Sequence, residues 1–179
     1  LLIDFAGTRP MTRFEGSAGS GKTTASKITS TLLYGEPQHK KATDAANYTD
    51  GSQNPLIVLD NIEVKQMTED LTTFMLTSIT GIAKEKRKSG TDSETITERT
   101  KCLLNTTGIE PLCGELSEIL SRSFVINFDL ANQASDCFLE SEVISAIQQN
   151  RNLIISAIMK RTSHVLAMIR DGAQKQVMR

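Results

Sequence analysis

A glycine- and serine-rich run around one lysine is the first part of the sequence that could do chemistry. Residues 16–23 read GSAGSGKT and match the pattern G-x-x-x-x-G-K-[ST] at every position. Glycines let the backbone turn with positive φ and bring bare N–H groups against phosphate oxygens. Lys22 is placed to reach β- and γ-phosphates, and the Thr23 hydroxyl to hold Mg²⁺. The motif predicts an ATP-binding cradle formed by Gly16, Ser17, Ala18, Gly19, Ser20, Gly21, Lys22, Thr23 and Thr24.

Such a cradle needs a strand before it and a helix after it, whereas a chance glycine-serine turn needs neither. Residues 11–15, MTRFE, predict a short strand that runs directly into the motif. Residues 22–33, KTTASKITSTLL, carry Ala25, Ile28 and Leu32 at helical spacing. Both flanks therefore favour the phosphate cradle, and the partial positive charge of the helix N-terminus would add to it.

A second candidate residue, Asp60, follows the apolar run LIVL at residues 56–59. Such a run is typical of a strand buried on both faces of a parallel sheet. An acidic side chain at the tip of that strand could bind the water shell of Mg²⁺, so Thr23 and Asp60 are the predicted metal residues. The alternative for Asp60 is an ordinary residue of the turn that ends the strand.

The run LIVLDN resembles the Walker B strand of P-loop ATPases, in which a second acidic residue polarises the attacking water, and Asn61 stands at that place. An amide can orient a water molecule but cannot accept its proton at neutral pH. Glu63, in the following turn, and Glu15, just before the motif, are candidate substitutes for that base. We therefore expect slow hydrolysis, or hydrolysis that depends on an assembled neighbour.

The remaining pattern alternates strands with helices, which predicts an α/β fold with three layers and a central parallel sheet. Thr68 is a candidate N-cap, followed by acidic residues and an apolar helical face with Leu71, Phe74 and Met75. Residues 101–105, KCLLN, predict a strand that ends at Asn105. A brief helix at 114–122 and a strand at 123–130 follow. We expect a P-loop ATPase core over residues 1–138 and a C-terminal helical segment over 139–179, whose apolar positions recur at three- and four-residue steps: Ile144, Ile147, Ile154, Ile158, Val165 and Ile169.

The segments GSAGSGKTT, LIVLDN, KCLLNTTG and LSEILSRSFVINFD occur in the order seen in AAA+ ATPases. Over residues 1–130 the chain resembles the ATPase domains of phage and mobile-element replication proteins, akin to superfamily 3 and MCM-type helicases. The resemblance implies an ATPase that forms a homo-oligomer, such as a hexameric ring, and acts on single-stranded DNA. It gives Asn105 the sensor-1 role of orienting the attacking water. Arg122 corresponds to an arginine finger that serves the neighbouring subunit's nucleotide.

Both assignments have plainer alternatives. An Asn at a strand end also serves turn chemistry, and an arginine at a helix end also serves as a solvated cap or an ion-pair partner. AAA+ lids often carry a second sensing arginine, and the sequence does not distinguish Arg161 from Arg170 for that role.

A basic hairpin is predicted near residues 82–100, where two polar strands flank the turn SGTD. In helicases of the resembled group, a hairpin at this point projects into the ring channel and grips DNA. The alternative is a charged, solvated hairpin that resists edge-to-edge aggregation. The candidate DNA-binding residues are Lys84, Lys86, Arg87 and Lys88.

Length, composition and charge limit the number of domains and the classes of function that the chain can have. The chain has 179 residues, enough for one domain, with 39% hydrophobic and 23% charged residues. A net charge of −1 argues against a surface that coats nucleic acid as a whole. No apolar run reaches the ~18 residues of a membrane span, so we expect no membrane partner. Three widely separated cysteines argue against a disulfide framework, and the composition fits the cytoplasm. Three functions remain open: an oligomeric DNA helicase or remodelling ATPase, an ATP-gated loader or assembly switch with weak hydrolysis, and a P-loop small-molecule kinase, which the Asn105 strand and the LSRSF segment fit poorly.

Overall fold

The computed structural model describes residues 8–38, 44–87, 95–98, 100, 102–112, 116–129 and 139–177 of the chain. A 3₁₀ turn, Val64–Gln66, precedes the third helix. In chain order the other elements are β1 (Met11–Gly16), α1 (Lys22–Tyr34), α2 (Asp44–Gln53), β2 (Leu56–Leu59), α3 (Glu69–Thr80), β3 (Lys84–Arg87), β4 (Thr95–Glu98), β5 (Leu103–Gly108), α4 (Ser117–Leu120), β6 (Ser123–Phe128) and α5 (Glu140–Val177).

The centre of the fold is a four-stranded parallel sheet with the order β2-β5-β1-β6. The predicted α/β fold with a central parallel sheet is confirmed. Because all four strands run in the same direction, their carboxyl ends meet at one edge of the sheet. Strand β5 lies between β1 and β2, so the loops that follow these three strands are neighbours at that edge. Ligands of open α/β sheets bind in this position.

One face of the sheet carries the main apolar core, to which α3 and α4 contribute. Phe74 and Met75 of α3 are fully buried in the same cluster as Met11 of β1 and Leu104 of β5. The predicted start of α3 is confirmed, since the Thr68 side chain accepts a hydrogen bond from the backbone N–H of Leu71 at 3.1 Å. Burying a large apolar side chain contributes about 2 kcal/mol, so α3 is held mainly by this face.

Helix α2 was not predicted, because its sequence DAANYTDGSQ is polar and lacks a clear apolar stripe. Tyr48 nevertheless packs edge-to-face on Phe74, with ring centroids 5.2 Å apart. Gly51 allows the helix to approach the core closely, since a Cβ there would lie 3.1 Å from the Phe74 ring. Tertiary contacts rather than local periodicity place this helix.

Helix α1 lies on the other face, and α5 packs along α1. Arg151 of α5 donates hydrogen bonds to the carbonyl oxygens of Leu32 (2.9 Å) and Leu33 (2.8 Å), which belong to the last turn of α1. Near the start of α5, Glu140 pairs with Lys27 of α1. Helix α5 is a single helix of 38 residues, about 57 Å long at 1.5 Å per residue. The predicted C-terminal helix is confirmed.

The predicted strand ending at Asn105 is wrong in its bounds. Strand β5 begins at Leu103 and continues to Gly108, because its backbone pairs with β1 as far as Glu15.

The predicted hairpin is confirmed as an antiparallel pair, with Lys84 opposite Glu98 and Arg87 opposite Thr95. Its turn and Lys88 lie outside the described residues.

Candidate functional site

The cradle motif has the predicted strand–loop–helix context. Strand β1 ends at Gly16, and α1 begins at Lys22. Gly16 has a φ of 149°, and a Cβ there would lie 2.3 Å from the carbonyl oxygen of Phe128 on the neighbouring strand. Gly19 and Gly21 have φ values of 79° and 93°, and no atom of the described residues lies within 4 Å of the position where a Cβ would be. Glycine is thus required at Gly16 by crowding, and at Gly19 and Gly21 by backbone conformation.

The Lys22 side chain contacts the backbone of the cradle loop. Its Nζ donates hydrogen bonds of 2.6 Å to the carbonyl oxygens of both Gly16 and Ser17, and the residue is 8% exposed. Ser20, in the same loop, has a buried hydroxyl for which the described part of the chain offers no hydrogen-bond partner. A loop with bare positive-φ glycines, a near ammonium group and an unpaired hydroxyl has the donors that a phosphate chain needs. The residues present therefore fit a nucleoside triphosphate.

Thr23 and Asp60, the predicted metal residues, are brought together. The Thr23 hydroxyl donates to Oδ1 of Asp60 at 3.2 Å, although the two residues are far apart in the sequence. No group of three or more His, Cys, Asp and Glu side chains that could hold a metal exists within the part of the chain that the structure describes. A Mg²⁺ ion held by Thr23 and Asp60 would take its other ligands from phosphate oxygens and water, as is usual for Mg²⁺ at nucleotide sites.

Thr107, which the sequence analysis missed, makes the closest contact to Asp60. Its hydroxyl donates to Oδ1 of Asp60 at 2.6 Å and accepts from the backbone N–H of Asn61 at 2.8 Å. The position beside Asp60 follows from the register, because Leu59 pairs with Thr106. Thr107 therefore fixes both residues at the tip of β2. The sequence signal was the TT pair after Asn105, but its relevance depends on where β5 ends.

Asn61 adopts a left-handed conformation with φ of 56°, and it is the one non-glycine residue with positive φ in the described part of the chain. Asn tolerates this region better than most residues. The turn exposes the Asn61 side chain at the edge of a cleft of about 190 Å³, which Glu63 and Glu110 also line. Asn61 thus lies next to Asp60, and its role with water stays a prediction.

Asn105 lies inside β5 rather than at its end, opposite Val58 of β2 and Thr12 of β1. Alternation along a strand puts it on the same face as Thr107 but two residues further from the loop edge. It is 1% exposed, and among the described residues neither its amide oxygen nor its amide nitrogen has a hydrogen-bond partner. Its assignment to the attacking water stays a prediction, with the register favouring Thr107 as the neighbour of Asp60.

The two substitute bases are held by other contacts. The carboxylate of Glu63 accepts from the backbone N–H groups of Ile109 (2.8 Å) and Glu110 (3.2 Å) and is 7% exposed. Glu15 forms a buried ion pair with Arg13 at 2.7 Å. These contacts stabilise the loop after β5 and the end of β1, and the role of either carboxylate as a base stays a prediction.

One predicted catalytic residue lies apart from the cradle. Arg122 precedes β6 and forms an ion pair of 3.2 Å with Glu118. The carbonyl oxygen of Arg122 accepts a hydrogen bond from the backbone N–H of Met11. Met11 and Gly16 are the two ends of β1, so they lie roughly 17 Å apart at 3.3 Å per residue. Arg122 is therefore not beside the cradle of its own chain.

Thr24, the last residue of the predicted cradle, contacts α5: its hydroxyl donates a hydrogen bond to Glu140 at 2.9 Å.

The hairpin residues Lys84, Lys86 and Arg87 belong to a separate two-stranded sheet that follows α3. This places their backbone outside the central sheet. Their proposed contact with DNA stays a prediction.

Comparisons with known proteins add little. No protein-family model matches the chain, and a search of curated proteins found no match. Among solved structures, the chain is similar to the apo A form of the NrS-1 C-terminal region, with 19% identity and a TM-score of 0.46. That match covers 80% of this chain and 35% of the other. Of the helices that the structure describes, none combines the length and apolar character required to cross a membrane.

Proposed function

We propose that this chain is an ATP-binding and ATP-hydrolysing P-loop domain of the AAA+ type. The observation that carries the proposal is the meeting of Thr23, from the helix after the cradle, with Asp60, from the tip of β2. A magnesium triphosphate requires a backbone cradle, a lysine and an acidic residue at one sheet edge, and these residues supply all three. Gly16 to Thr24 would hold the phosphates, and Thr23 and Asp60 the Mg²⁺ ion.

The work driven by the nucleotide is proposed to be DNA unwinding, translocation or remodelling by a homo-oligomer. Two features support this assignment: the order of the motifs along the chain, and the position of Arg122, about the length of a strand from its own cradle. An arginine so placed can stabilise the transferring phosphoryl group only in another subunit. The hairpin residues Lys84, Lys86, Arg87 and Lys88 would contact single-stranded DNA.

A loader or assembly switch with weak hydrolysis is the second candidate. It is favoured by Asn61, whose amide cannot act as a base, and by the contacts that hold the carboxylates of Glu15 and Glu63 to other groups. Nucleotide-dependent assembly without DNA-stimulated phosphate release would favour the switch over the motor.

Titration calorimetry with Mg-ATP tests the shared part of both candidates. Wild-type protein is expected to bind, and Lys22→Ala to lose about 10- to 100-fold in affinity, since a hydrogen bond to a charged group contributes about 1.5–3 kcal/mol. Lys27→Ala is the matched control, because Lys27 lies on the same helix and pairs with Glu140 at the surface. Absence of heat with the wild-type protein would refute the proposal.

A further inference from the structure

Arg13 of β1 is a charged residue in the interior of the sheet. Its side chain is fully buried, on the face of β1 that also carries Met11 of the apolar core. A buried guanidinium must be paired and hydrogen-bonded, because it is costly to remove a charge from water. Nε of Arg13 donates to Oε1 of Glu15 at 2.7 Å, which pairs the charge. Such a buried pair is often no more stabilising than apolar residues of the same volume, so stability alone does not explain an arginine here.

The other two nitrogens of the guanidinium bind backbone oxygens of two different loops. Nη1 donates to the carbonyl oxygen of Ile62, in the turn after β2, at 3.2 Å. Nη2 donates to the carbonyl oxygen of Glu110, in the loop after β5, at 2.7 Å. Because Glu15 is next to the last residue of β1, Arg13 contacts the carboxyl ends of three strands. A planar guanidinium holds several acceptors in a fixed geometry, which the point charge of a lysine does not do.

Gly108 makes the contact with the turn after β2 possible. Strand β5 lies between β1 and β2, so the Arg13 side chain must cross β5 to reach Ile62. A Cβ at Gly108 would lie 2.2 Å from Nη2 of Arg13 and 2.8 Å from the carbonyl oxygen of Ile62. The backbone of Gly108 is not left-handed, so this close approach and not backbone conformation requires glycine here.

The turn after β2 and the loop after β5 are also joined to each other. The carboxylate of Glu63 accepts hydrogen bonds from the backbone N–H groups of Ile109 and Glu110. Arg13 binds carbonyl oxygens of the same two segments, so it supplies donors where Glu63 supplies acceptors. Asp60 directly precedes this turn. Its position relative to the cradle therefore depends on the contacts that hold the turn.

We propose that Arg13 is a positioning residue that joins the ends of β1, β2 and β5 into one unit and so fixes Asp60 relative to the cradle. Glu15, its ion-pair partner, directly precedes Gly16, the first cradle residue. The inference rests on the proposed function, because it assigns Arg13 to the same site. Within the described part of the chain, the Arg13 side chain makes no hydrogen bond to residues 16–24. Loss of its contacts should therefore affect turnover more than ATP affinity.

Amide hydrogen exchange of the full chain, measured by NMR without nucleotide, tests whether Arg13 holds the two loops. Arg13→Lys keeps a positive charge for Glu15 but loses the planar group that reaches both carbonyl oxygens. The backbone N–H groups of Ile62, Ile109 and Glu110, which we call the loop amides, are expected to exchange at least about 10-fold faster. Amides within the central sheet should keep their wild-type rates. Unchanged loop amides, or loop amides that already exchange in the wild type as fast as in an unfolded peptide, would overturn the proposal.

Met11→Ala is the matched control for Arg13→Lys. Met11 is also fully buried, on the same face of the same strand, but it lies at the far end of β1 from the cradle. Its truncation lowers the stability of the whole fold. Exchange within the sheet should then become faster, without a selective increase at the loop amides. A selective increase in this variant would mean that the loop amides report global stability, which would overturn the proposal.

Gly108→Ala tests the same contact from the neighbouring strand and keeps the arginine, so it also covers the case in which Arg13→Lys fails to fold. The added methyl group should displace the guanidinium and give the same selective increase at the loop amides. The double variant should be little worse than either single variant, because both remove one contact. Gly51→Ala is the control: a Cβ there would lie 3.1 Å from the Phe74 ring, but in α2, and the loop amides should not change. Additive effects of Arg13→Lys and Gly108→Ala would overturn the proposal.

Phosphate release separates positioning from a merely structural role. At a temperature at which each variant is folded, Arg13→Lys should lower kcat about 10- to 100-fold, since a misplacement of about 1 Å can cost about 100-fold. The KM for ATP should stay near the wild-type value, and Met11→Ala should keep the wild-type kcat. A wild-type kcat in Arg13→Lys would reject the inference alone. A wild-type protein with protected loop amides that does not bind Mg-ATP would reject the proposed function alone.

Discussion

The hydroxyl of Thr107 joins the tip of β5 to the carboxylate of Asp60 through a hydrogen bond of 2.6 Å. The same oxygen accepts the backbone N–H of Asn61, so one side chain fixes both residues that follow β2. Because Oδ1 of Asp60 accepts this hydrogen bond, the orientation of Oδ2 is also fixed. Thr107 is thus a positioning residue for the proposed magnesium site.

Thr107→Val is expected to lower ATP turnover by about 10- to 100-fold, because it removes a hydrogen bond to a charged group and leaves the Asn61 N–H without its partner. Thr107→Ser keeps the hydroxyl and should retain most of the activity. Phosphate release and the Mg²⁺ dependence of ATP affinity measure the effect. Wild-type turnover in the valine variant would show that this contact is not needed.

Asn61→Asp should raise ATP turnover at least about 10-fold, because it supplies the second carboxylate that a general base requires. Asp tolerates the left-handed conformation that Asn61 adopts, so the backbone should not change. Asn61→Gly also keeps that backbone but adds no base, and it should give no increase. Equal rates for the aspartate variant and wild type would mean that the base is not the limiting group.

Gly16→Ala is expected to destabilise the fold by about 2 kcal/mol, the cost of holding a non-glycine residue at an unfavourable φ, with crowding against Phe128 added. Urea denaturation followed by circular dichroism measures the change. Gly19→Ala meets open space and should cost only about 1 kcal/mol, from its positive φ alone. Equal losses in both variants would contradict the close approach at Gly16.

Glu15→Ala should destabilise the protein by about 3 kcal/mol or more, because it leaves the fully buried Arg13 without its ion-pair partner. Glu118→Ala breaks the surface pair with Arg122 and should change stability by less than about 1 kcal/mol. Urea unfolding compares the two variants. Loss of turnover with unchanged stability in Glu15→Ala would instead support a catalytic role for Glu15.

Replacement of Lys84, Lys86, Arg87 and Lys88 with Ala should weaken binding to single-stranded DNA and leave ATP affinity unchanged. Each lost phosphate contact lowers the salt slope by about 0.7 for single strands, so four lost contacts lower it by about 3. Fluorescence anisotropy with a labelled oligonucleotide at several salt concentrations gives both quantities. An unchanged affinity and slope would assign the hairpin to solvent.

The amino-acid sequence alone determined the features encoded in contiguous residues. The strand and helix that flank residues 16–23, the buried strand before Asp60 and the Thr68 N-cap depend on local backbone conformation, capping and periodicity, and each was predicted correctly. Tertiary structure decided which distant residues meet. Thr107 rather than Asn105 lies beside Asp60 because pairing between strands sets the register, and this pairing depends on partners far away in the sequence. The contacts that Glu15 makes with Arg13, and Glu63 with the loop after β5, likewise follow from packing. The exposed apolar residues of β6 and α5 do so too, because burial depends on how the sheet and its helices assemble and not on any single segment.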